Sequence, residues 1–177
     1  MNKQTGLTIV ELMIVLTVIA VISSLAYPSF QQTLRINRVQ TQTTQMMGTL
    51  MMARSEAAKS NQPVVVCRSD DGASCATGSG HWTSGSLVFR DIDGTGTLSA
   101  GDEIVRVNDS VPDTVSIRAL TTDFEDSLTY WPDGTVNGEI TNIFRFCADN
   151  DASTARLIVL DATGRPRVDG SPGGACP

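Results

Sequence analysis

Residues 6–35 read GLTIVELMIVLTVIAVISSLAYPSFQQTLR, an apolar run whose only charge before Arg35 is Glu11. The 24 residues from Leu7 to Phe30 would form a helix about 36 Å long, enough to cross a hydrocarbon core of about 30 Å. A carboxylate inside such a segment is costly in lipid unless another charge pairs with it. We therefore expect a membrane-spanning helix in which Glu11 has a partner charge.

A short polar leader with one cation, Lys3, precedes this run and ends at Gly6. Together with Leu7-Thr8-Ile9-Val10-Glu11-Leu12, it resembles the class III leader of type IV pilins and type II secretion pseudopilins. The resemblance implies that a prepilin peptidase cuts between Gly6 and Leu7 and methylates the new amine. It also implies that Glu11 pairs with the terminal amine of a neighbouring subunit. Leu7 departs from the Phe that is most common at the first mature position. The alternative, an ordinary signal anchor, leaves this spacing unexplained.

The charge of the remaining chain limits its partners. Without Lys3 and Glu11, the totals of 13 basic and 19 acidic residues become 12 and 18, a net charge of −6. A domain-wide basic field for nucleic acid is therefore absent, and any such contact must be a local patch. With Lys3 on the cytoplasmic side, the rest of the chain would be periplasmic. We expect a single-pass inner-membrane protein that becomes extracellular when it is assembled in a pilus.

Four cysteines suit an oxidising compartment. Four cysteines allow three pairings, and the sequence alone does not choose among them. We favour Cys67–Cys75, which flank a turn-like segment, and Cys147–Cys176, which would fix a C-terminal tail that otherwise frays. Their spacings, with His81 as the only histidine, do not make a zinc site.

The chain divides into a leader (1–6), a membrane or fibre-core helix (7–30), an amphipathic helix (31–60) and a periplasmic β domain (61–177). We expect one long helix, kinked at Pro28, whose apolar stripe lies against the β domain. Strand-like runs of period two then follow at 64–67, 85–90, 103–107, 114–118, 128–131, 143–147, 155–160 and 166–168. Tight turns between short strands predict an α+β fold, a long helix packed on an antiparallel sheet.

Several segments of the second half resemble the GspH/FimT group of minor pilins and pseudopilins, a pilin-like fold. They are Ala53-Arg54-Ser55-Glu56-Ala57, Val64-Val65-Val66-Cys67, Val88-Phe89-Arg90-Asp91 and Phe144-Arg145-Phe146-Cys147. FimT/FimU-type proteins are minor pilins that help to start a type IV pilus, so the partners implied are other pilins and minor pilins. The cysteine pairs and the run at 164–167 favour this branch. The alternative is a GspH-like minor pseudopilin of type II secretion.

The run Gly164-Arg165-Pro166-Arg167 resembles the segment through which FimT-like proteins bind double-stranded DNA during natural transformation. In an extended chain both arginines would point to one side and could contact successive phosphates. Arg156 is a further candidate for the same patch. The alternative is an edge strand that carries solvated arginines, and Asp161 and Asp169 weaken the local field.

Asp91, Asp93 and Asp102 occupy the first, third and twelfth positions of a segment that partly resembles a calcium loop. A hairpin turn explains the same residues, because Asp and Gly favour turns, so calcium is only a weak candidate and no metal or other cofactor is expected. The sequence contains no nucleophile elbow or phosphate loop. His81 is a conceivable general base, but a surface loop histidine is the simpler interpretation, and we do not expect an enzyme.

Overall fold

The computed structural model describes residues 8–78, 81–138, 142–161, 163–169 and 176. A long helix, α1 (Ile9–Ser60), comes first, and a short 3-10 helix spans Thr122–Phe124. The strands are β1 (Val64–Arg68), β2 (Ser86–Arg90), β3 (Glu103–Asn108), β4 (Val115–Ala119), β5 (Ser127–Tyr130), β6 (Asn142–Ala148), β7 (Asp151–Leu160) and β8 (Pro166–Asp169). Each predicted strand corresponds to one of these, and the α+β prediction is confirmed.

Local signals fix both ends of α1. Thr8 forms a capping box, because its hydroxyl accepts the Glu11 amide at 3.3 Å and the Glu11 carboxylate faces the Thr8 amide. The helix runs through Pro28 and ends where Asn61 adopts a left-handed φ of 53°, two residues before Pro63. Its 52 residues make a rod about 78 Å long.

The strands form two antiparallel four-stranded sheets. The first sheet has the order β3-β2-β1-β5, and the second has the order β4-β6-β7-β8. The long β6–β7 hairpin turns at Asp149 and Asn150, both with positive φ. β3 and β8 lie at the edges of their sheets, so the arginine run that ends in β8 lies on an open edge.

The main core lies between α1 and the two sheets. The buried face of α1 presents Val39, Thr43, Met46, Thr49, Leu50, Ala53 and Ala57, as its apolar periodicity predicted. From the second sheet, Phe144, Phe146, Ile158 and Leu160 meet this face. Trp82 packs edge-on against Phe144 with ring centroids 5.1 Å apart.

β1 is buried on both faces, which explains its unbroken apolar sequence. Val64 and Val66 face α1, whereas Val65 and Cys67 join a second, smaller core with β2 residues. The loop closed by Cys75 covers this smaller core.

Candidate functional site

The first half of α1 makes no packing contact with the rest of the chain. Every residue from Thr8 to Phe30 is exposed, including large apolar side chains such as Ile9, Leu25 and Phe30. In the described part of the chain, this is the one helix long and apolar enough to cross a membrane. Such a surface is unstable in water and requires lipid or other protein around it.

Glu11 lies in the first turn of this exposed helix. Its Oε2 is 3.5 Å from both the amide nitrogen and the hydroxyl of Thr8, at the long limit for a hydrogen bond. The helix N-terminus favours a carboxylate here, but by only about 0.3–1 kcal/mol. The Glu11 carboxylate therefore remains available to form a stronger ion pair with another group. Gly6 and Leu7, the predicted processing site, lie outside the described residues.

The β domain attaches to α1 from Arg35 onwards. Arg35 Nε lies 2.9 Å from Asp149 Oδ2, and its Nη1 lies 3.9 Å from Asp151. Arg38 reaches the Thr114 hydroxyl at 3.5 Å. The first charged residue after the anchor thus marks the point where the globular part begins.

A turn between Asp161 and Gly164 precedes the arginine run, which lies at the β8 edge of the second sheet. The Gly164 amide donates to the Asp161 carbonyl at 2.8 Å, and Gly164 has a φ of +72°. Arg54 of α1 holds this turn, because its Nε donates to the Gly134 carbonyl at 3.1 Å and its Nη2 to the Thr163 carbonyl at 3.0 Å. A Cβ at Gly164 would lie 2.1 Å from the Gly134 oxygen, so this position requires glycine.

Arg165 and Arg167 are both exposed, on either side of the buried Pro166. A residue before proline favours an extended conformation, so the two arginines leave the chain on the same side. The Thr163 hydroxyl donates to Asp161 and, with smaller contributions from the Arg165 amide and the Arg167 charge, lowers the pKa of that carboxyl. An ionised carboxylate therefore lies beside the arginine pair and reduces its field.

Arg156 does not belong to this patch, contrary to the expectation. Arg167 pairs with Val159, and Ile158 and Leu160 point into the core. Because side chains alternate along a strand, Arg156 lies on the core-facing side of β7 and Arg167 lies on the other. Sequence spacing alone could not reveal this, since it required the register between β7 and β8.

Both expected disulfides are present, Cys67–Cys75 and Cys147–Cys176. The first closes an eight-residue separation beside the smaller core, and the second joins β6 to the C-terminal end across 29 residues. The first bond therefore holds Cys75 beside β1, and the second holds Cys176 beside β6.

Asp91, Asp93 and Asp102 converge, with carboxylate oxygens within 4.8 Å of one another. Groups of the same loop already occupy them: the Thr95 amide donates to Asp91 at 3.0 Å and the Ser99 amide to Asp102 at 2.7 Å. The Thr95 hydroxyl, followed by that of Ser99, lowers the pKa of Asp93. A hairpin stabilised by its own hydrogen bonds accounts for this geometry.

Comparison with known proteins identifies the molecule's relatives. Residues 42–164 match the family described as type II transport protein GspH, and residues 1–27 match the prokaryotic N-terminal methylation motif. No curated protein sequence matches the chain significantly.

Solved structures of a minor pilin and of a minor pseudopilin share the fold. The type IV minor pilin FimU of Pseudomonas aeruginosa aligns with a TM-score of 0.59 and 19% identity, over 78% of this chain and 92% of FimU. The minor pseudopilin EpsH of the Vibrio cholerae type 2 secretion system aligns with a TM-score of 0.54 and 12% identity, over 77% of this chain and 99% of EpsH. At these identities the likeness shows the fold alone.

Proposed function

Because this chain belongs to the GspH family, we propose that it is a minor subunit of a type IV pilus, anchored in the inner membrane before assembly. The observation that carries this proposal is the fully exposed apolar half of α1 in a chain that matches the N-terminal methylation motif. Lipid would cover this surface before assembly, and the helices of other pilins would cover it in the fibre.

Processing completes the subunit in this proposal. A prepilin peptidase removes residues 1–6, and Leu7 becomes the methylated N-terminus. Glu11 of one subunit then pairs with the terminal amine of the next, which offsets the cost of a carboxylate in an apolar surrounding. The weak internal contacts of Glu11, at 3.5 Å, support this role because they leave the carboxylate available.

Substitution of Glu11 tests the pairing. In a host with pilus machinery, we expect Glu11→Ala to be processed but to remain in the membrane fraction, absent from sheared fibres. Thr17→Ala is a matched control, since its hydroxyl bonds only to the Ile14 carbonyl of its own helix. Normal incorporation of Glu11→Ala would contradict the proposal.

A pseudopilin of type II secretion is the second candidate. The description of the matching family, type II transport protein GspH, favours it. Deletion of the gene separates the two, because loss of surface pili would support the pilus role and loss of secreted exoproteins would support the secretion role. We favour the pilus role over the secretion role because of the two disulfides and the exposed arginine run.

The exposed pair Arg165 and Arg167 supports a contact with double-stranded DNA as part of the pilus role. Two phosphate contacts give a slope of about −1.8 in a plot of log affinity against log salt. Affinity should therefore fall roughly tenfold between 50 and 200 mM salt. The contact would read no sequence, because phosphates carry none.

The DNA test uses the detergent-solubilised chain and a duplex oligonucleotide. We expect the double variant Arg165→Ala, Arg167→Ala to lose binding, and Arg156→Ala to retain it because that residue lies on the opposite face of the sheet. Unchanged affinity of the double variant would remove the pair from any DNA site.

A further inference from the structure

A groove lies between α1 and the two turns that Arg54 joins, next to the arginine run. Arg54 and Ala58 of α1 line one side of it, and Asp133 and Arg165 line the other. Its volume is about 330 Å³, which is room for about ten water molecules. The groove thus brings Arg54 and Arg165, which are distant in the chain, to the walls of one open site.

Two backbone oxygens hold Arg54 in place on the α1 wall. Its Nε donates to the Gly134 carbonyl at 3.1 Å, and its Nη2 donates to the Thr163 carbonyl at 3.0 Å. Both acceptors are uncharged, so neither cancels the charge of the guanidinium. Of the five N–H donors of an arginine, the two on Nη1 bond to no group among the described residues. Because the side chain is already fixed, it would lose little conformational entropy on binding a ligand.

In the described part of the chain, the groove is lined by fewer carboxylates than arginines. Asp133 is a lining residue, and hydrogen bonds from the hydroxyl and then the amide of Thr135 lower its pKa, so it is charged at pH 7. Glu56, next to Arg54 in α1, lies 3.5 Å from Arg90 instead. Two guanidinium groups therefore face one carboxylate in the groove.

The arginine run alone is a weak anion site, because the Asp161 carboxylate interacts with Arg167 and reduces the field of the run. Asp169 follows Arg165 by four residues, about 13 Å along an extended strand, and acts at the far end of β8. A guanidinium supplied by α1 offsets Asp161. Three arginines, Arg54, Arg165 and Arg167, would thus act together on an anionic ligand that enters the groove.

We propose that the backbone of double-stranded DNA enters this groove and that Arg54 is a third phosphate contact beside Arg165 and Arg167. This inference rests on the proposed DNA contact, and it adds the path of the ligand and one further binding residue. A duplex that contacts only Arg165 and Arg167 would cross the sheet edge without approaching α1. A duplex that also contacts Arg54 must pass Ala58, which is exposed on the same wall.

A third contact changes the salt dependence of binding. Planar guanidinium forks bind phosphate oxygens through charge-assisted hydrogen bonds, and the Nη1 donors of Arg54 supply such bonds. The slope of log affinity against log salt changes by about −0.9 for each phosphate neutralised, so three contacts give about −2.7 where the pair alone gives about −1.8. Affinity should then fall roughly fortyfold, rather than roughly tenfold, between 50 and 200 mM salt.

Substitution of Ala58 tests the path of the duplex. Ala58 lies one helical turn after Arg54, so the carboxylate of Ala58→Glu would neighbour Arg54 and repel a phosphate. We expect the detergent-solubilised Ala58→Glu chain to bind a duplex oligonucleotide about tenfold more weakly than the wild type at 50 mM salt, because one of three contacts is lost. For the same reason its slope should return to about −1.8.

Gln40→Glu is the matched control, because it makes the same change of charge outside the groove. Gln40 is exposed on the same helix, 18 residues before Ala58. The two positions are about 27 Å apart, well beyond the screening length of about 10 Å at 0.1 M salt. The control should therefore keep the affinity and the slope of the wild type. Thermal unfolding of each variant verifies that it is folded.

The outcomes separate this inference from the proposal on which it rests. A wild-type slope near −2.7, with weaker binding by Ala58→Glu than by Gln40→Glu, would support the path through the groove. Equal affinities of these two variants, with loss of binding in Arg165→Ala, Arg167→Ala, would overturn that path and leave the arginine pair as the DNA contact. Absence of duplex binding by the wild type would overturn both.

Discussion

Gly164→Ala should destabilise the chain more than an ordinary glycine substitution. Gly164 has a φ of +72°, and this left-handed conformation costs a side-chain-bearing residue about 1–2 kcal/mol. The new Cβ would also lie 2.1 Å from the Gly134 oxygen and 3.0 Å from Tyr130 Cε1. One of the two turns must therefore move.

Movement of either turn would also weaken a hydrogen bond between Arg54 and Gly134. The Gly134 oxygen accepts the Arg54 Nε at 3.1 Å, and a hydrogen bond from a charged donor contributes about 1.5–3 kcal/mol. If the displacement breaks this bond, the total loss of unfolding free energy is about 2.5–5 kcal/mol. For a domain of this size, such a loss lowers the midpoint of thermal unfolding by roughly 10 °C.

The assay is thermal and denaturant unfolding of the detergent-solubilised chain. Gly94→Ala is the matched control, because Gly94 has a nearly identical φ of +71° with nothing within 4 Å of the added Cβ. We expect the control to show only the cost of the left-handed conformation, about 1–2 kcal/mol. Equal losses in the two variants would refute the packing of the Asp161–Gly164 turn against Gly134.

Two further perturbations test how the stability of the domain depends on pH and how much each disulfide contributes to it. Because burial, followed by the charges of Arg118 and Arg68, lowers the pKa of His81 from 6.5 in the folded chain, the unfolded chain binds the proton more readily, so stability should fall as the pH decreases through 6.5. Denaturant unfolding should show this loss in the wild type and not in His81→Asn; an identical pH dependence would contradict it. Because Cys147–Cys176 closes a longer loop than Cys67–Cys75, its removal should lower the free energy of unfolding by about 1 kcal/mol more. Unfolding of the paired serine variants measures this, and the reverse order would contradict it.

Local patterns in the sequence predicted most of the fold. The apolar run and the amphipathic stripe that follows it predicted α1, and runs of period two separated by turns predicted all eight strands. The two predicted disulfides are confirmed. The first was predicted from the proximity of its cysteines in the chain, and the second from the need to fix a C-terminal tail. These features depend on residues that are near one another in sequence.

Features that depend on pairing between distant segments were not predictable. The division into two sheets follows from which strands become neighbours, as in the insertion of β1 between β2 and β5. The position of Arg156 required the β7–β8 register. The contacts of Arg54 with two turns, and the meeting of His81 with Arg118, join segments between 37 and 109 residues apart. Neither periodicity nor composition carries this information.

Intact mass spectrometry of the chain extracted from membranes, in cells with an active prepilin peptidase, tests most directly whether it is a processed fibre subunit. We expect a species that begins at Leu7 and carries one added methyl group. A chain that still retains residues 1–6 would contradict the proposed function.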